Sequence, residues 1–132
     1  MTRRVHLSWS DVALEPDLRE DEGWIRMQVQ FAVGERTGSD RLLLGRTVLP
    51  PGARHDPHRH AHCDEFLFVV RGRGVIYTDG EDEPAGEGDV IFTPKGAVHG
   101  FHNTSDSDVE LLWGWSGAGS LDASGYELAR HG

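Results

Sequence analysis

Cysteine is almost absent. Cys63 is the only one among 132 residues, so no disulfide can close within the chain and a four-thiolate zinc site is excluded. Positive charge is in deficit: Lys and Arg total 13 against 22 Asp and Glu, and the formal charge of −9 repels a phosphate backbone rather than neutralising it. No nucleic-acid partner is expected. No apolar run approaches the roughly 18–20 residues that span a bilayer, so no membrane partner is expected either. Behind the Arg3-Arg4 pair the stretch Met1–Leu18 has no apolar core, and it does not read as a secretory or twin-arginine signal. A lone thiol and no such signal together predict a cytoplasmic protein. Helical periodicity, internal repeats and linkers are lacking as well. Residues 1–132 are expected to form one domain, the size that a single core serves.

Glycine, by contrast, is plentiful: 17 residues, set between short apolar runs. Residues 24–33 alternate, with Ile25, Met27, Val29, Phe31 and Val33 on one face and Arg26, Gln28 and Gln30 on the other, which predicts a half-buried strand. Leu42–Leu49 is a second, ended by Pro50-Pro51-Gly52. Glu65–Val70, Val75–Thr78, Asp89–Thr93, His99–Asn103 and Val109–Trp115 follow, separated by turn residues such as Asp79-Gly80 and Pro94-Lys95-Gly96. The acidic run Glu81–Glu83 reads as a solvated hairpin tip. Short strands spaced by about 8–12 residues predict an all-β sandwich or barrel. The tail, residues 117–132, begins rich in Gly, Ser and Ala and carries a short candidate helix at Tyr126–Arg130.

Histidine is the other excess. Four of the eight, His55, His58, His60 and His62, fall within eight consecutive positions. Neutral imidazole is the commonest metal-ligating side chain. His58 and His60 are two apart, so an extended strand points both to one face. Glu65 follows His60 at an odd interval, and residues 61–64 must turn or bulge to bring its carboxylate round. His99 comes from much later in the chain and needs a neighbouring strand to join them.

These residues sit in two longer patterns. The first is Gly52, five residues, His58, one residue, His60, four residues, Glu65, six residues, Gly72. The second is Gly88, five residues, Pro94, one residue, Gly96, two residues, His99, three residues, Asn103, and fifteen residues separate Gly72 from Gly88. In both, the sequence resembles the cupin superfamily, and in its short spacing the compact single-domain bacterial members, over about residues 42–115. The resemblance implies a double-stranded β-helix, or jelly-roll, barrel. It also implies one divalent metal ion held by His58, His60, Glu65 and His99. Three imidazoles and a carboxylate suit Mn, Fe, Ni or Zn without choosing among them.

Leu67 and Val69 after Glu65, Phe101 by its parity with His99, and Trp113 on the last strand are expected to line a largely apolar substrate pocket. His62 is expected in that pocket or behind Glu65, with simple exposure the competing reading. His55 is expected at the rim, His102 facing outward, Arg54 and Arg59 on the surface, and Cys63 as a small residue without a reactive role. No Ser-His-Asp, Cys-His or phosphate-cradling glycine pattern is present, so chemistry belongs to the metal, with Glu65 as candidate base. The resemblance implies an enzyme acting on a small organic molecule. A dioxygenase-like oxidoreductase comes first, with an isomerase, cyclase, decarboxylase or lyase, or a non-catalytic ligand-binding protein, as alternatives. A homodimer is expected, to which residues 24–33 contribute.

Overall fold

In the computed structural model, which describes residues 4–129, alternate side chains along short strands turn toward one interior. Strands β1 (Trp24–Ile25), β4 (Arg54–His60), β6 (Arg73–Thr78), β7 (Glu81–Gly86), β9 (His99–His102) and β11 (Tyr126–Leu128) form one antiparallel sheet. Its order is β1-β4-β9-β6-β7, with β11 also on β4. Strands β2 (Gln28–Val33), β3 (Leu42–Leu49), β5 (Asp64–Arg71), β8 (Val90–Thr93) and β10 (Val109–Ser116) form the second, in the order β2-β3-β10-β5-β8. This is the expected all-β barrel.

Leu43 and Leu49 of β3, Val69 of β5, and Val109, Leu111 and Trp115 of β10 are no more than 3% exposed, and they fill the interior from the second sheet. Burying each such side chain stabilises the fold by roughly 1.5–3 kcal/mol. Gly45 faces Trp113 in register, and a Cβ there would lie 2.3 Å from the indole ring, so the glycine is the seat of that tryptophan.

Residues 24–33 are not one strand. The chain passes from the first sheet to the second at Arg26, whose φ of 58° is left-handed, and the crossing resets the alternation. Trp24 is therefore buried, at 4% exposed, while Ile25 is only half-buried. Gln30, expected on a solvated face, is 9% exposed because the N-terminal segment covers it. Its amide donates to the carbonyls of Trp9 and Val12 at 3.0 and 2.8 Å.

Glu81–Glu83 run along β7, and the hairpin tip is Asp79-Gly80, both left-handed at φ 46° and 91°. In the tail, helix α1 spans Leu121–Ser124. The Ser120 hydroxyl caps it, accepting from the Ala123 N–H at 3.1 Å, and left-handed Gly125 stops it. Tyr126–Leu128, expected as helix, are β11, because extended backbone pairs them with His60, Arg59 and His58 of β4. Arg130 of that expected helix lies outside the described residues. Among the described residues no helix is long and apolar enough to cross a membrane.

Candidate metal centre

Strand β4 begins the site. Its register against β9 shifts between His55 and His58, and Pro57 within that gap has no N–H to give the ladder. The irregularity brings two rings of opposite parity onto one side, so that His55 stacks on His58 with centroids 3.6 Å apart. His58 and His60 are each 2% exposed. Strand β9 sets His99 opposite His58. Gly100 permits that approach, since a Cβ there would lie 2.7 Å from the His55 carbonyl oxygen.

Each imidazole is anchored through Nδ1. His58 donates to the Asp56 carbonyl at 2.8 Å and His99 to the Ala97 carbonyl at 3.0 Å. His60 donates to Ser124 Oγ at 3.0 Å, and the serine proton goes on to the Leu121 carbonyl at 2.6 Å. Acceptors at all three Nδ1 atoms fix a ring proton there, which leaves neutral His58 and His60 with a free lone pair at Nε2, while Nε2 of His99 faces the Glu65 carboxylate. One ligand atom from each of the three rings lies within 4.8 Å of the others. Nε2 of His60 and Nε2 of His99 are buried without a hydrogen-bond partner.

Glu65 comes from the other sheet. The turn at residues 61–63 carries the chain from β4 to β5, and this crossing resolves the odd interval from His60. Glu65 Oε2 lies 3.0 Å from His99 Nε2, and Oε1 lies 3.6 Å from His60 Nε2. The Trp115 indole N–H donates to Oε1 at 2.9 Å. A nitrogen lone pair facing a carboxylate oxygen at such a distance is repulsive unless positive charge sits between them. Burial pushes the Glu65 carboxyl up, but the charge of His99 and its contact with the carboxylate lead the opposing effects and hold the carboxyl well below its usual range. Burial depresses His58 and His60, the latter to about 4, which keeps both imidazoles neutral and able to ligate. In His99 burial is outweighed by the Glu65 charge and contact, and the value is raised. The cluster attracts a cation, and its nitrogen and oxygen donors fit a divalent metal.

Leu67, Phe101 and Trp113 line the cavity beside these groups. Val69 and His62 do not. Val69 does face inward on β5, but it is fully buried in the packed core beyond Leu67. His62 is exposed, because strand parity stops at His60 and the turn carries His62 outward against Gly125. Trp24 and Thr47 line the cavity without having been expected there, and His55 and Trp115 line it with them. His55 is half-buried rather than at the rim, and its Nε2 lies 3.1 Å from the Tyr126 hydroxyl. Its parity with His58 was wrong for a regular strand, and Pro57 was the only hint of the irregularity. Cys63 is buried with its thiol pushed up to about 12, chiefly by burial, which makes it unreactive. His102 is exposed, Arg54 pairs with Asp56 at 2.6 Å and Arg59 with Glu127 at 3.0 Å, and none of the three lines the cavity.

The family model described as a cupin domain matches residues 45–115, more than half of the chain. An oxalate-binding protein of Thermotoga maritima is 39% identical over 70 residues, which cover 53% of this chain and 58% of that protein. Across the first three curated relatives that it matches, the chain spans between 46% and 62% of their length. Among solved structures, the polyketide cyclase RemF from Streptomyces resistomycificus superposes with a TM-score of 0.72 at 25% identity, covering 88% of this chain and 80% of that one. A predicted oxalate decarboxylase from Thermotoga maritima superposes with a TM-score of 0.69 at 28% identity, covering 86% of this chain and 99% of that one.

Proposed function

The chain belongs to the cupin-domain family, and from that premise we propose that it is a metal-dependent enzyme. Its divalent ion is held by His58, His60, Glu65 and His99, and its substrate is a small oxygen-bearing organic molecule. The observation that carries this reading is the pair of buried, unpartnered Nε2 atoms of His60 and His99 beside the Glu65 carboxylate. Bound there, the ion supplies Lewis-acid polarisation of a substrate oxygen or activation of dioxygen. The protein's own groups do the rest. The Nδ1 anchors fix the imidazoles, and the Trp115 N–H orients Oε1 of Glu65, the candidate base once the carboxylate loosens from the ion. Leu67, Ile76, Phe101, Leu111 and Trp113 exclude water. About 40 Å³ is open to water-sized molecules, which suits the reacting end of a small acid or diketone.

Dioxygenase-like oxidation is the reaction proposed first. The predicted oxalate decarboxylase and the polyketide cyclase among the similar structures support lyase or cyclase chemistry at the same site as the alternative. A second reading, ligand binding without turnover, is favoured by the relative named for binding oxalate. A cytoplasmic setting is proposed from the free, buried thiol of Cys63.

Metal analysis is expected to find one divalent ion per chain, lost in His58→Ala and His99→Ala. Oxygen uptake with a panel of dicarboxylates, hydroxy acids and diketones separates the readings. Uptake supports oxidation, product without uptake supports the lyase or cyclase, and binding without product supports the second reading. Glu65→Gln is expected to lower turnover by roughly 10²–10⁴-fold. Full turnover with the metal retained would remove the base role.

A further inference from the structure

Three tryptophans line the cavity, and two of them have an acceptor for the indole N–H. Trp113 donates to Thr47 Oγ1 and Trp115 to Glu65 Oε1, each at 2.9 Å. Trp24 is 4% exposed and its Nε1 has no partner among the described residues. The buried side-chain atoms left unpartnered there are Trp24 Nε1, His60 Nε2 and His99 Nε2, and all three belong to residues that line this one cavity. A buried donor without an acceptor is costly, and a native fold keeps one where something else completes it.

Trp24 is also held firmly. Its ring lies on His55 with centroids 4.0 Å apart, and His55 in turn lies on His58 at 3.6 Å. The Tyr126 hydroxyl donates to the Glu22 carbonyl at 2.5 Å, so its oxygen accepts from His55 Nε2 at 3.1 Å. His55 Nε2 and the Tyr126 hydroxyl are thus engaged with each other, and Trp24 keeps a free donor. His55 thus separates Trp24 from the imidazole cluster, and the cavity that both line is otherwise walled largely by apolar side chains, Met27, Ile76 and Phe101 among them.

Resting on the metal-dependent reading above, we propose that Trp24 is a specificity-determining residue whose indole N–H donates to a second oxygen of the substrate. The cavity thereby selects small organic acids with two oxygen groups, one for the metal and one for Trp24. A ligand with a single oxygen group leaves this donor unmet.

The test uses the whole zinc-loaded protein with ¹⁵N-labelled indoles, and oxalate, glycolate and pyruvate as probes. The Trp24 indole signal is identified by its proximity to the His55 ring protons. At least one acid is expected to move that proton downfield and slow its exchange with water, while acetate does neither. Trp24→Phe, which keeps an aromatic ring, is expected to weaken binding of that acid roughly fivefold with zinc content unchanged. An unmoved Trp24 signal at saturation, binding by none of the three acids, or wild-type affinity in a folded Trp24→Phe protein overturns the proposal and leaves the metal reading standing. Failure of the protein to take up zinc overturns both.

Discussion

Ser124 reaches His60 from 64 residues along the chain and lies fully buried behind the imidazole. Without its oxygen, Nδ1 loses its acceptor and the ring no longer has one preferred tautomer. Ser124→Ala is expected to lower zinc affinity by about tenfold, read by competition titration, with the fold retained. A metal affinity equal to that of the unchanged protein would contradict the anchoring role. Fixed spacings single out His58, His60, Glu65 and His99 in the sequence, and the fold brings their side chains together. The sequence could not betray Ser124 or Trp24. A serine in a Gly/Ser-rich tail and a tryptophan at the head of an alternating run acquire their roles only from contacts between distant segments. His62 misled for a related reason: a period of two holds only while the strand lasts, and the strand ends at His60.

Strands β4 and β9 hold the imidazoles at the right separation only because Gly100 lacks a side chain. Gly100→Ala would set a Cβ 2.7 Å from the His55 carbonyl oxygen and push the two strands apart. A loss of about 1–3 kcal/mol in urea unfolding is expected, together with weaker zinc binding. Gly86→Ala on β7, where the nearest atom would be 3.9 Å away, is the control and is expected to change neither. Strands were legible wherever alternation runs within one sheet, as in β3 and β10. The passage between sheets at Arg26 was not, because a non-glycine residue at positive φ carries no mark in the sequence. β11 was hidden because three residues are too few to show a period, and pairing with β4 decides their conformation.

For the molecule as a whole, the buried histidines couple stability to pH. Burial depresses His55, His58 and His60 in the folded chain below the ordinary 6.5, His60 to about 4. Below that ordinary value the unfolded chain takes up protons that the folded chain refuses. Stability then falls by roughly 1.4 kcal/mol per pH unit for each such group until the folded-state value is reached. His99 works the other way, since its raised value adds stability at low pH that is lost as pH rises through it. Three groups against one leave a net loss on acidification, and depressed Glu65 adds to it below its ordinary 4.5. Metal-free protein is therefore expected to melt at a lower temperature at pH 5 than at pH 7 by calorimetry; equal melting points would contradict this. Assembly is tested at the same scale. A dimer through residues 24–33 is expected in sedimentation at micromolar concentration, and monomer alone refutes it. β2 does lie at a sheet edge, although the Glu15 N–H already donates there to the Val29 carbonyl at 2.8 Å. The segment after β10 has a wider bearing than its composition suggests. With Ser124 behind His60 and Tyr126 gripping the histidine stacked on His58, trimming residues 120–128 or splicing a fusion partner into them would edit the scaffold of the proposed centre itself. Altered metal retention would then be the first symptom, ahead of any gross misfolding.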